Sequence, residues 1–202
     1  MENTGYITIT RQSGLSREMR VIANNIAIAS TTGFRSEGVI FSEYIKPVQR
    51  AASLSMGQGN VRETSFEQGG LTQTRAPFDF AIEGDGFFLI ETPAGERLTR
   101  AGAFTPNAEG ELVTYDGYRV LDPGGAPLFV PAGADIAVAA DGTISADGNP
   151  LGQMGLVQPV DPKDMVREDG VMFRADAGFE PAEGARVLQG FVESSNVNAI
   201  HQ

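Results

Sequence analysis

The chain has 202 residues, a formal net charge of −11, no Cys, no Trp and a single His. That length suits one domain, or one domain with an appendage. Without Cys there is no disulfide, thiolate nucleophile or Cys-based zinc site, and a lone penultimate His201 removes a Ser-His-Asp triad and a multi-His metal centre. No run approaches the roughly 18 apolar residues of a membrane span, and no basic stretch leads into an apolar one at the start, so neither membrane insertion nor a secretory signal is expected.

The charge is segregated. Residues 1–62 carry seven basic and four acidic side chains, a balance of +3, whereas residues 63–202 carry eight and twenty-two, a balance of −14. A strongly acidic majority would repel phosphates, so nucleic acid is not an expected partner.

Residues 4–31 are predicted to be a helix. Leu15, Met19, Ile22, Ile26 and Ala29 follow one another at spacings of 4, 3, 4 and 3. That is an a/d seam, narrower than the face of an ordinary core helix. It suits either a terminal helix lying on its own domain or a seam built for another helix. Arg11, Arg17, Glu18 and Arg20 lie off the seam, and the segment lacks the bulky aromatics of a membrane-surface helix. Asn24 and Asn25 are poor helix formers, and we read them as hydrogen-bonding to adjoining helices rather than as merely exposed. Ser30-Thr31-Thr32-Gly33-Phe34 supplies the stop: Gly33 suits a left-handed position, and Phe34 is expected to fold back on Ala29 or its neighbours.

Residues 35–62 form a transition. Phe41, Tyr44, Ile45 and Val48 have helical spacing interrupted by Pro47, and the small residues 51–60 are expected to be a flexible linker. Beyond them, short apolar runs alternate with turn signals through residue 193. Five Asp-Gly pairs, beginning at 85, 116, 141, 147 and 169, are predicted hairpin turns. Phe87 and Phe88 occupy alternating strand positions with one or both in the core. Ser194-Ser195-Asn196 offers N-cap side chains ahead of Val197, Ala199 and Ile200, so a helix is expected to start there and to be cut short at Gln202. The expected fold is mainly β with an N-terminal α-helix: a small turn-rich antiparallel β domain on a helical arm, lacking a C-terminal helix.

Candidate chemistry is sparse. Glu83 and Asp85 form an acid pair of the kind glycosidases use, but such acids are more often turn formers. Residues 141–149 resemble a calcium loop, yet Gly152 stands where an EF-hand has Glu, and two successive hairpin turns explain the pattern better. An extracellular calcium-binding or carbohydrate-active β module is therefore the rival class. No catalytic, cofactor-binding or metal-ligating residue is expected.

Four ordered motifs carry a resemblance. They are Leu15-Ser16-Arg17-Glu18-Met19-Arg20-Val21-Ile22-Ala23-Asn24-Asn25-Ile26-Ala27 followed by Ser30-Thr31-Thr32-Gly33-Phe34; Thr74-Arg75-Ala76-Pro77-Phe78-Asp79-Phe80-Ala81-Ile82-Glu83-Gly84-Asp85-Gly86-Phe87-Phe88; Leu98-Thr99-Arg100-Ala101-Gly102-Ala103-Phe104 with Gly110-Glu111-Leu112-Val113; and Gln189-Gly190-Phe191-Val192-Glu193-Ser194-Ser195-Asn196-Val197. The chain thereby resembles the bacterial flagellar rod and hook proteins over nearly its whole length. Tyr6 to Gln12 and Gly117 to Leu121 are most similar to the proximal rod type, with the distal rod type next. Ile28 departs from the pattern, which usually carries a further Asn there. The resemblance implies a helical core element at residues 1–34, a linker at 35–62, a rod/hook-type β domain at 63–193 and a C-terminal helix beginning at 194–202. It further implies a structural subunit, exported unfolded through the flagellar export apparatus without a cleaved signal. Such a subunit stacks helically with proximal and distal rod proteins, or with itself, in the basal-body rod across the periplasm. The helix seam and Asn24, Asn25, Gly33 and Phe34 would then serve assembly. Residues of the two central motifs and of the C-terminal motif would be the family's structural residues.

Overall fold

The computed structural model describes residues 2–46 and 54–198. The chain divides into two compact units that are not contiguous in sequence. One takes residues up to 30, residues 35–67 and those from 196 on; the other takes residues 31–34 and 68–195.

The first unit contains α1 (Glu2–Ala27), β1 (Glu37–Lys46) and β2 (Leu54–Thr64). The helix ends at Ala27, four residues before the predicted end. A last i to i−4 bond joins Ile28 N to the Asn24 carbonyl at 3.1 Å, and a tighter turn follows from Ala29 N to Ile26. β1 and β2 pair antiparallel from Glu37↔Thr64 to Lys46↔Leu54, with a bulge between Ile40 and Phe41. This corrects the expectation at 35–62. Phe41, Tyr44 and Ile45 lie on a strand, and Leu54 to Asn60 of the presumed linker are its partner; residues 47–53 lie outside the described ones. Aromatic and β-branched residues suit a pleated strand, and once their backbone is ladder-bonded Gly57 and Gly59 fit opposite Glu43 and Phe41.

The second unit is built from short strands: β3 (Leu71–Gln73), β4 (Phe80–Glu83), β5 (Phe87–Thr92), β6 (Gly95–Thr99), β7 (Phe104–Pro106), β8 (Leu112–Thr114), β9 (Arg119–Val120), β10 (Ile136–Val138), β11 (Thr143–Ala146), β12 (Asn149–Gln153), β13 (Leu156–Pro159), β14 (Met165–Glu168), β15 (Met172–Ala175), β16 (Phe179–Pro181), β17 (Arg186–Gln189) and β18 (Phe191–Glu193). The largest sheet runs β14-β15-β6-β5-β9-β8-β7, with β13 joining β5 to β16. β10-β11-β12 form a second sheet, and β17-β4 and β18-β3 are separate antiparallel pairs. The mainly β class with an N-terminal helix is what the sequence predicts.

β5 explains the core. Phe88 and Ile90 join one apolar cluster with Phe80, Ile82, Phe104 and Val120, while Phe87 and Leu89 join another with Leu98, Leu121, Val157 and Phe173. A strand buried on both faces reads as an unbroken apolar run. Both phenylalanines are therefore core residues, each set edge-on to another ring: Phe88 to Phe104 at 5.3 Å and Phe87 to Phe173 at 5.9 Å.

Four of the five Asp-Gly pairs close hairpins: β8–β9, β10–β11, β11–β12 and β14–β15. Asp147-Gly148 and Asp169-Gly170 have positive φ at both residues, the primed-turn signature. The calcium-like stretch 141–149 is thus two successive hairpin turns. Asp85-Gly86 is the correction: it joins β4 to β5, which pair with different strands. The expected helix start at 194 is also corrected. Residues 194–198 are not helical; Ser194 N continues the β18–β3 ladder to the Gly70 carbonyl at 2.8 Å. Ala199 to Gln202 lie outside the described residues.

Candidate functional site: the motif cluster and the helix seam

Within the second unit, motifs distant in sequence converge on one guanidinium. Arg100 follows β6 and is only 1% exposed. Its Nε and Nη2 donate to Glu193 Oε2 at 2.7 and 2.6 Å, Nη1 donates to the carbonyls of Gly84 and Gly86 at 3.0 and 2.6 Å, and Nη2 donates to that of Ile82 at 3.1 Å. All five N–H groups are thereby matched. A buried ion pair holds only when its remaining hydrogen-bonding capacity is met, because removing both charges from water costs several kcal/mol per ion, roughly. Glu193 meets its share with Oε1, which accepts from Gly69 N at 3.0 Å.

The backbone explains the Gly-Asp-Gly motif. Gly84 has φ +94° and Gly86 +134°, conformations that L residues rarely adopt. They let the chain wrap its carbonyls round the cation, while Glu83 and Asp85 are exposed. The acid pair is a by-product of that cradle.

The stop motif docks beside it. Gly33, at φ +71°, donates its N–H to the Glu193 carbonyl at 2.7 Å, and a Cβ there would overlap the Ala101 amide nitrogen. Phe34 is buried against Arg167, whose guanidinium lies 4.6 Å from the Phe34 ring and 4.7 Å from that of Phe173. Cation–π stacking and full burial hold Phe34 in the β unit. Gly102 allows the Phe80 carbonyl to approach, since a Cβ there would overlap it. Gly190 N reaches the Asp79 carbonyl at 2.7 Å. Gln189 Nε2 donates to the Pro77 and Ile136 carbonyls, and its Oε1 accepts from Val138 N. Ala81, Ile82, Thr99 and Phe104 are buried, Ser194 Oγ lies 3.0 Å from Thr72 Oγ1, and Val197 is half-buried.

In the first unit the helix turns two different sides. Val21 and Asn25 are buried, whereas Leu15, Met19 and Ile26 are 48%, 71% and 51% exposed, with Ile22 between. The seam is therefore on the open side, and Asn24 is exposed beside it. Asn25 departs from expectation. Its Nδ2 donates to the Glu37 carbonyl at 2.7 Å and its Oδ1 accepts from Glu37 N at 3.0 Å, so its amide holds β1 and not an adjoining helix. Asn196 likewise does not cap a helix: its Oδ1 accepts from Ser36 N at 2.6 Å and its Nδ2 donates to the Glu67 carbonyl at 2.8 Å.

Some residues escape sequence reading. Arg167 sits in a strand with no motif around it. Gln68 donates to the Ile82 carbonyl at 2.6 Å, and a Cβ on Gly69 would overlap the Ser194 carbonyl oxygen. The Gly69-Gly70 doublet is the one available signal of that close backbone approach. An open cleft of about 750 Å³ is lined by Glu91, Asn107, Glu109, Glu111, Asp116 and Arg119. There the Asn107 amide, then Arg119, hold the Glu111 carboxyl below its ordinary range. Among the described residues no cluster of His, Asp or Glu is placed to hold a metal ion.

A family model described as the flagellar hook protein FlgE/F/G D1 domain matches residues 81–146. The chain is 38% identical to the flagellar basal-body rod protein FlgF of Rhizobium meliloti, over 100% of this chain and 85% of that protein. It is 37% identical to the FlgF protein of Caulobacter vibrioides, over 99% and 84%. The basal-body rod protein FlgG of Caulobacter vibrioides is 32% identical over 96% of this chain and 86% of its own.

Proposed function

From the premise that this chain belongs to the FlgF family of flagellar basal-body rod proteins, we propose how its parts serve the rod. The chain is a structural subunit of the bacterial flagellar basal body, and its relatives are rod and hook components. The proximal rod is its place, reached through the flagellar export apparatus. There it stacks helically with proximal and distal rod proteins across the periplasm and transmits torque. It performs no catalysis. The helix within residues 1–34 is the core element and 63–193 the rod/hook-type β domain, with the paired segment 35–62 between them in the chain.

The observation that carries this reading is the exposed apolar seam of Leu15, Met19 and Ile26 on a helix whose other side is buried. Covering such side chains contributes about 25 cal/mol per Å² of apolar surface. Asn24 and Ile22 border the same stripe, whereas Gly33, Phe34 and the motifs round Arg100 act in assembly only by fixing the β unit. The test is replacement of Leu15, Met19 and Ile26 by Ser in a cell dependent on this chain for its rod. The β unit should unfold at the same urea concentration as before, and rods and swimming should be lost. Normal rods from the triple variant would overturn the proposal.

A further inference from the structure

β10 is an end strand of the three-stranded sheet β10-β11-β12. Its alternate residues face opposite ways. The Asp135 carbonyl accepts from Asp147 N at 3.0 Å and Ala139 N donates to the Thr143 carbonyl at 2.9 Å, so the backbone groups of residues 135, 137 and 139 turn toward β11. Those of Ile136 and Val138 turn outward, where among the described residues no strand continues the ladder. An outward row of N–H and C=O groups is a template for a strand of another chain.

One side chain occupies that row. Gln189 Oε1 accepts from Val138 N at 3.1 Å, and its Nε2 donates to the Ile136 carbonyl at 2.8 Å. A carbonyl before Ala137 and an N–H after it are the two groups that a residue of a parallel strand would bond. The carboxamide thus takes the place of one peptide group of a neighbouring strand. It is fixed from both ends: the Gln189 backbone lies in β17 opposite Phe80, and the second N–H of Nε2 donates to the Pro77 carbonyl at 2.9 Å. Val187 N, two residues earlier in β17, extends the cover to the Ala140 carbonyl at 2.9 Å. The opposite end strand is closed by other means. In β12, Pro150 has no N–H to offer, and a bulge interrupts the ladder between Ile144 and Ser145.

We propose that Gln189 guards the edge of β10 against strand addition by a second copy of this chain. The strand it keeps out is β10 of that copy, because two identical bared edges pair antiparallel about a two-fold axis. A glutamine that only fastened β17 to β10 would contribute stability and would leave association unchanged.

Sedimentation and amide hydrogen exchange on the full chain at low salt test this. At high dilution, Val138 N in Gln189→Leu should exchange about tenfold faster than in the parent, the equivalent of one net hydrogen bond. As concentration rises, Gln189→Leu should dimerise beyond the parent's level, and Val138 should regain protection as it does so. Adding Ala137→Lys, which puts a charge at an exposed position of the same strand, should return association to the parent's level. Gln189→Glu separates guarding from stability. It loses both donated bonds and is destabilised too, but its carboxylate still accepts from Val138 N and repels the carbonyls of an incoming strand, so it should associate no more than the parent. No added association by Gln189→Leu, association that leaves Val138 unprotected, or equal association by Gln189→Glu would overturn the proposal. Should Gln189→Leu fail to fold, Gln189→Asn, whose amide is one methylene too short to span both groups, decides by the same readings.

Discussion

Arg100 depends on every one of its neighbours. Replacing it by Met leaves the Glu193 carboxylate buried beside carbonyl oxygens with no cation, which should cost about 3–5 kcal/mol in urea denaturation. Pairing Arg100→Met with Glu193→Leu should recover much of that loss. Gly33→Ala should cost about 1–3 kcal/mol from its left-handed backbone alone, and overlap with Ala101 adds to it. Glu111 behaves differently because it is only partly buried, at the edge of an open cleft. Its depressed carboxyl pKa, caused first by Asn107 and then by Arg119, gives stability that is present above the unfolded value and lost as pH falls through the folded one. Carboxyl NMR titration should find Glu111 titrating below an ordinary Glu, and Asn107→Ala should raise it. At this scale the sequence marks the right residues but not their work. Thr99-Arg100 and Glu193 stand out as motif positions, yet the partners of Arg100 are carbonyls at 82, 84 and 86 and an acid 93 residues away. Nothing local announces that geometry.

Elements were legible where turn chemistry is stringent. Asp147-Gly148 and Asp169-Gly170 demand positive φ at two successive residues, and few sequences permit it. Gly170→Val should therefore cost about 1–2 kcal/mol in thermal unfolding, whereas Gly70→Val, which meets open space, should stay within about 0.5 kcal/mol. The β1–β2 hairpin was illegible for the opposite reason: Ser, Gly and Gln in β2 carry no strand periodicity, and pairing with β1 supplies what their side chains do not. The helix shows both cases. Its seam is plain from spacing, but spacing does not reveal that Asn25 serves the Glu37 backbone. Asn25→Ala should cost about 1–3 kcal/mol by stranding two buried backbone groups, while Asn24→Ala should be close to neutral; thermal melts of the two variants separate them.

Across the whole molecule, the segregation of charge sets how copies meet. Most of the acidic excess belongs to residues 63–202, and exposed pairs such as Arg119 with Glu91 contribute little to holding the fold. Like-charged β units repel one another over about 10 Å at roughly 0.1 M salt. Sedimentation of the purified chain should show self-association rising as salt is added. A fall would mean that attraction between the basic arm and acidic surfaces of other copies governs instead. The division into units was the hardest feature to read from sequence, since residues 31–34 belong with residues 68–195 and the chain returns at 196. Composition changes along a chain suggest contiguous domains, and only long-range bonds such as Gly33 to Glu193 reveal the interleaving.

The saturated guanidinium also has a consequence on the timescale of descent. An ion pair whose two halves lie 93 residues apart, each intolerable without the other, cannot be lost by single steps through viable intermediates. Lineages should keep both halves while exposed turns drift freely. Where one half has gone, the other should have been replaced in the same lineage by an uncharged side chain.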